Sequence, residues 1–194
     1  MRVAPVGLYE RDPLTAFELG CDVAALTHGH PSGYLASGML AALISMIMQG
    51  ETLERAVGES LRILQEYDRH EEVLAAVNRA VELSADASAP QLAHIEELGQ
   101  GWVAEEALAI SLYCSLCAGD DFEKGVLAAV NHGGDSDSTG AITGNIIGAM
   151  YGRDVIPGKW VEALELRKVI EKLAADLSIR FEDTDEWFQH YPGG

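Results

Sequence analysis

The chain has 194 residues, 48% of them apolar, with 31 acidic side chains against 13 Lys and Arg, a formal net charge of −18 and three cysteines. That length suits one compact domain or a large part of one. So acidic a surface repels phosphate backbones and anionic lipid, which excludes a protein that grips nucleic acid or a membrane through a basic face. Three thiols cannot all pair, and the opening MRVAPVGLYERDP lacks the basic-then-apolar order of a signal peptide, so a cytoplasmic setting is expected.

In chain order the apolar period is that of helices, with no alternating run long enough for a strand. The first predicted helix starts at Asp12-Pro13, with Asp as N-cap and Pro at the first helical position, and runs toward Thr27. His28-Gly29-His30-Pro31 breaks it. The uncharged segment from Pro31 to Gly50 follows, with its dense apolar part between Tyr34 and Met48. It carries Ser37, Gly38, Ser45 and Gln49 and lacks flanking basic clusters, so it reads as a buried helix of a bundle and not a membrane span. Gly38, Ala41, Ala42 and Ser45 form a small-residue stripe that lets a neighbouring helix approach closely.

Thr52 opens an amphipathic helix whose inner face is Leu53, Val57, Leu61 and Leu64. Further helices are expected from Glu71 to Leu83, from Pro90 to Leu98 after a Ser/Ala/Asp loop, from Val103 to Cys117, and from an Asp120-Asp121 cap to Val130. The chain then enters the glycine-rich run Asn131-His132-Gly133-Gly134 and an uncharged helix rich in small residues, which is expected to be buried. A last long helix is placed between Gly158 and about Leu177, ahead of an acidic tail, Glu182 to Glu186. No linker divides the chain, so residues 1–194 read as a single domain.

The chemistry-bearing stretch is Gly133-Gly134-Asp135-Ser136-Asp137-Ser138-Thr139-Gly140-Ala141. Two carboxylates two residues apart, followed at once by a hydroxyl, offer three hard oxygen donors within one turn of chain, the kind Mg²⁺ prefers. The dipole of the following helix favours their ionised form. Ordinary helix capping by Asp and Ser accounts for the same residues. Two carboxylates held together at the end of a buried helix nevertheless need a counter-charge, and a divalent ion supplies it.

Four stretches in order resemble the ADP-ribosylglycohydrolase superfamily, which includes the dinitrogenase reductase-activating glycohydrolases. They are Met1 to Gly7, Leu26 to Pro31, Leu98 to Ala107 (LGQGWVAEEA) and Asn131 to Ser138 (NHGGDSDS), and the likeness spans nearly the whole chain. It implies an all-α, orthogonal multi-helix bundle around a two-ion Mg²⁺ or Mn²⁺ site in a cleft that receives ADP-ribose. Carried over residue by residue, Asp135, Asp137 and Ser138 are metal ligands. His28 contacts ADP-ribose, Trp102 lies against the adenine, and Gly99 and Gly101 allow close approach of the backbone. The implied activity is Mg-dependent hydrolysis of the glycosidic bond that links ADP-ribose to a modified protein side chain or small molecule.

The chain departs from that family in length. The acidic segment with a catalytic Glu and the Thr-Asp-Asp run that members carry upstream have no counterpart here, so the N-terminal part of the fold is expected to be missing and no catalytic residue is assigned. A complementing N-terminal half, or self-association through uncovered apolar faces, is the expected partner. The competing class is a non-catalytic remnant that binds ADP-ribose or serves as a helical packing partner. His30, His70, His94, His132 and His190 are scattered singly and are assigned no chemistry. Cys114 and Cys117, in a C-x-x-C inside an apolar helix, read as buried thiols.

Overall fold

The structure is a computed structural model and describes residues 1–85, 87–179 and 181–192; Asp86, in the loop expected before Pro90, lies outside them. Every regular element among the described residues is helical, as the periodicity predicts. The chain divides into two compact units, Met1–Pro157 and Gly158–Gly194.

The first unit is built on a central helix. A short α1 (Ala4–Tyr9) and α2 (Pro13–Ala25) pack on α3 (Pro31–Ile47), which also meets α4 (Leu53–Leu64) and α7 (Ala104–Ala118). All residues of α3 except Tyr34 and Ser37 are buried. The expected small-residue stripe explains how the helices come so close. A Cβ on Gly38 would lie 2.8 Å from the Phe17 carbonyl oxygen, and one on Gly20 would lie 2.8 Å from the Ala41 Cβ. Ser45 is buried without penalty because its hydroxyl donates to the Glu10 carbonyl at 2.7 Å. α1 was not anticipated, since six residues hold too little period to read and its N-cap, Val3, makes no side-chain cap.

α5 (Glu71–Ala85), α6 (Leu92–Leu98), α8 (Phe122–Val130) and α9 (Ser136–Tyr151) complete the unit. α7 is apolar on every side because it stands between two clusters. Leu108 and Leu112 join the core around α3, while Ile110, Tyr113 and Cys114 face Ile95 and Ala129. Its hydroxyls are satisfied within the bundle: Ser111 donates to the carbonyls of Ala107 at 2.7 Å and Thr139 at 3.0 Å. Cys114 and Cys117 are free and buried as expected, and burial pushes the Cys114 thiol up to about 12. The expectation that α9 is buried throughout needs correction. Ile142, Thr143, Ile146 and Ile147 are buried, but Ala141 is exposed and Gly144, Gly148 and Ala149 are half-buried. The helix packs one face on α7 and α8, and its lack of charge does not imply cover on both sides.

In the second unit the single long helix expected after Gly158 is two, α10 (Gly158–Ala163) and α11 (Arg167–Ile179). Leu166 between them takes φ 57°, a left-handed conformation that ends a helical run. The acidic tail forms a short α12 (Asp185–His190), capped by Thr184, whose hydroxyl accepts from the Trp187 N–H at 3.2 Å.

The Asp12 cap forms as the sequence implies, and it is pH-sensitive. The Thr15 hydroxyl and N–H donate to its carboxylate at 2.7 and 2.8 Å, and these bonds hold its pKa below the ordinary 3.8. A depressed carboxylate stabilises the fold above its unfolded pKa and loses that contribution as pH falls through the folded value. Thermal melts of the chain and Asp12→Ala are therefore expected to differ at neutral pH and to converge at pH below 3.8. Leu14, Leu19 and Leu26 on and beside α2 stand exposed. Light scattering at micromolar concentration is expected to report a mass above the monomer's, and a strictly monomeric profile would refute the expected self-association.

Candidate functional site

The acidic turn is held at the start of α9 by the residues around it. Asp135 occupies the N-cap position, yet its side chain caps no helix N–H; it accepts the Ser138 hydroxyl at 2.8 Å instead. By contrast Asp12, Thr52 and Asp121 each accept an N–H of the helix they open. Burial alone would raise the Asp135 pKa, but hydrogen bonding with Ser138 and Asp137 outweighs it and holds the group below the usual carboxylate value.

His132, to which the sequence assigned no chemistry, organises this turn. Its Nδ1 accepts from the Gly134 N–H at 3.1 Å, so its Nε2 carries the proton and donates to the Thr139 hydroxyl at 3.0 Å, and Thr139 in turn donates to the Ala129 carbonyl at 2.6 Å. The turn is also sewn to the loop before α7. The Asp135 N–H donates to the Gln100 carbonyl at 2.7 Å, and a Cβ on Gly134 would lie only 1.8 Å from that oxygen. In the loop itself Gly99 and Gly101 take φ of 125° and 78°, values that require glycine. Two consecutive backbone amides of the loop are claimed by one side chain: Glu106 Oε2 accepts from the N–H groups of Gln100 and Gly101, each at 3.0 Å. Trp102 follows, 66% exposed, with its indole N–H donating to Gln100 Oε1 at 3.1 Å.

These parts border a cleft of about 710 Å³, within the range of small-molecule sites. Gly101, Trp102, Asp135 and Ser138 are among its lining residues, as are Arg2, His28 and His30. Of the residues expected at the site, Asp137 is exposed and Gly99 half-buried, and neither is among the lining residues. His28 is oriented by a relay. Arg2, which can only donate, bonds the Thr27 hydroxyl and the Val23 carbonyl, and Thr27 Oγ1 lies 2.8 Å from His28 Nδ1. Thr27 Oγ1 also reaches the Ala24 carbonyl at 3.4 Å, so the hydroxyl is held from both sides and fixes the orientation of the His28 ring. His30 Nδ1 caps α3, accepting from the Ser32 N–H at 3.4 Å.

Two glutamates escaped sequence reading. Glu105 lines the cleft, and its Oε2 is buried with no hydrogen-bond partner. Glu106 works from behind the loop. The only sequence signal for either was their place in the first turn of an expected helix, where acidic residues are ordinary.

The cleft, bordered by an exposed indole and by the Asp135 turn at the start of α9, belongs to an all-α bundle. The sequence profile of the ADP-ribosylglycohydrolase family matches residues 1–186, and the chain belongs to that family. It is 33% identical over 178 residues to a protein of Archaeoglobus fulgidus, an alignment covering 91% of this chain and 56% of that protein. Human ADP-ribosylhydrolase ARH3 is 25% identical over 202 residues, with 91% of this chain and 56% of ARH3 covered. Among solved structures, a chain of an ADP-ribosylglycohydrolase-related protein complex matches with a TM-score of 0.67 and 30% identity, covering 90% of this chain and 56% of that one. The chain thus spans about half the length of the relatives it matches. Among the described residues no helix is long and apolar enough to cross a membrane.

Proposed function

We propose that the cleft receives the ADP-ribose unit of an ADP-ribosylated protein or small molecule, and that the reaction served is Mg-dependent hydrolysis of the bond joining ADP-ribose to its carrier. The carrying observation is the convergence of Asp135, Ser138, His28 and Trp102, from three separate stretches of sequence, on one cleft of ligand size. The relatives' names, ADP-ribosylhydrolase among them, support the same reading. Trp102 offers an apolar face for a purine to lie on. His28 brings its ring, a polar group able to hydrogen-bond ligand oxygens, to the cleft lining. A net charge of −18 would repel a pyrophosphate, so positive charge must be supplied locally, by Arg2 and by a cation.

The acidic turn fits such a cation in chemistry and only partly in number. Asp135, Asp137 and Ser138 are hard oxygen donors, two of them carboxylates two residues apart, and would supply part of an Mg²⁺ or Mn²⁺ shell. Among the described residues no three His, Cys, Asp or Glu side chains are grouped to hold a metal. The other ligands would be water, substrate or residues outside this chain. When bound, the ion supplies a Lewis acid that orients ribose hydroxyls and activates water. The chain's residues orient the purine and the ribose; none is assigned as the general acid or base. The sparse donor set also favours a second reading, a non-catalytic ADP-ribose binder or structural partner.

Calorimetric titration of ADP-ribose into the chain, with Mg²⁺ and then with EDTA, decides between them. Binding that needs Mg²⁺ and weakens at least ~10-fold in Asp135→Ala and Asp137→Ala is the expected result. Absence of binding by a chain that circular dichroism shows to be helical would overturn the ligand assignment and leave the structural role. Binding without release of ADP-ribose from an ADP-ribosylated peptide would leave the binder.

A further inference from the structure

Trp102 and Asp135 are 33 residues apart in sequence, belong to different helix entrances, and yet are connected through a single side chain. Glu106 stands at the third position of α7, where a glutamate commonly reaches back to the N-cap amide. Here it reaches further. One oxygen accepts from the N–H groups of both Gln100 and Gly101 at 3.0 Å, and the carboxylate sits so close under the loop that a Cβ on Gly99 would lie 2.3 Å from its Cδ. α7 itself has no side-chain cap, since Val103 at its N-cap has no acceptor to give.

The loop that Glu106 grips has two outputs. Its Gln100 side chain accepts the Trp102 indole N–H at 3.1 Å. Its Gln100 carbonyl accepts the Asp135 N–H at 2.7 Å, and the absence of a side chain at Gly134 allows that approach. Gly101 closes the joint from the other side, where a Cβ would lie 3.0 Å from Thr139 Cγ2 and 3.6 Å from the Asp135 carbonyl.

We propose that Glu106 is a positioning residue that ties two parts of the cleft lining together: its carboxylate fixes the 99–102 loop, and that loop, through the Gln100 carbonyl, fixes the main chain at Asp135. It touches neither the proposed ion nor the purine. It sets the distance between the carboxylates that would hold the one and the indole that would hold the other, so the two subsites are built as a unit. Its significance for ligand binding rests on the reading of the cleft given above; its structural linkage does not.

Amide hydrogen exchange followed by NMR tests the linkage, and calorimetry with ADP-ribose and Mg²⁺ tests its consequence. In Glu106→Ala the Gln100, Gly101 and Asp135 amides are expected to lose protection together, by about tenfold or more, while amides in the middle of α3 keep theirs. Mg-dependent affinity for ADP-ribose falls by about 10- to 100-fold, the cost usual for a supporting partner of a metal ligand. Glu106→Gln keeps one oxygen able to accept both N–H groups, and restores protection and affinity to within about threefold. An Asp135 amide whose exchange is unchanged in Glu106→Ala overturns the proposal, as does a loss of protection spread evenly over α3, which marks general destabilisation. Failure of the unsubstituted chain to bind ADP-ribose would refute the ligand assignment alone, because the exchange measurement would still decide the linkage.

Discussion

Alanine at position 134 is expected to abolish Mg-dependent ADP-ribose binding and to destabilise the chain by about 1–3 kcal/mol. A single methyl group has this effect because of where it would stand. Its carbon would lie 1.8 Å from the Gln100 carbonyl oxygen, 2.6 Å from the carbonyl carbon and 2.8 Å from the Cα. All three are backbone atoms, so no rotamer change relieves the clash and the two loops must part. Parting breaks the 2.7 Å hydrogen bond from the Asp135 N–H to Gln100, and the freed turn also strains the 3.1 Å bond from the Gly134 N–H to His132. Calorimetric titration reads the binding and urea denaturation reads the stability. Retention of near-native affinity in Gly134→Ala would show that the spacing of the two loops does not matter to the ligand.

Phe17→Ala is expected to cost about 3–5 kcal/mol, a drop in Tm of roughly 6–20 °C for a domain of this size. Phe17 is wholly buried where α2 crosses α3, and its ring lies 4.7 Å from that of Tyr67 at an interplanar angle of 30°. Gly38 faces it so closely that its own added Cβ would meet the ring at 3.2 Å. The helices are already held near their closest approach by small residues, so they cannot slide inward to fill the hole, and the cavity term stays near its full value. Thermal and chemical denaturation measure the loss. A change below about 1 kcal/mol would show that the crossing relaxes freely, contrary to the close packing of Gly20 and Gly38.

Much of the fold was legible because helices declare themselves locally. Asp12-Pro13, Thr52 and Asp121 cap the helices they were expected to cap, and the uncharged run after Pro31 is the buried centre of the bundle. The missed elements lacked such signals. α1 is too short for a period, and the break at Leu166 is a left-handed turn at a residue with no turn chemistry. The lack of charge in α9 predicts burial but does not tell a face open to solvent from one under another helix. At the site, the donor types in Asp135-Ser136-Asp137-Ser138 could be read from the chain, whereas the exclusion of Asp137 and Gly99 from the cleft lining could not.

By itself, then, the sequence determined the helical class, the central helix, the family likeness and the kinds of atoms available at the acidic turn. Each of these depends on residues near one another along the chain, through capping, periodicity and local composition. Only the tertiary structure decided which of those residues share a cleft, that His132 and Glu106 hold it in shape, and that Arg2 and Thr27 orient the His28 ring. Those roles rest on hydrogen bonds whose partners belong to different elements or to loops bent by glycines. Their geometry exists only after α2, α7 and α9 have packed, so no pattern along the chain carries it.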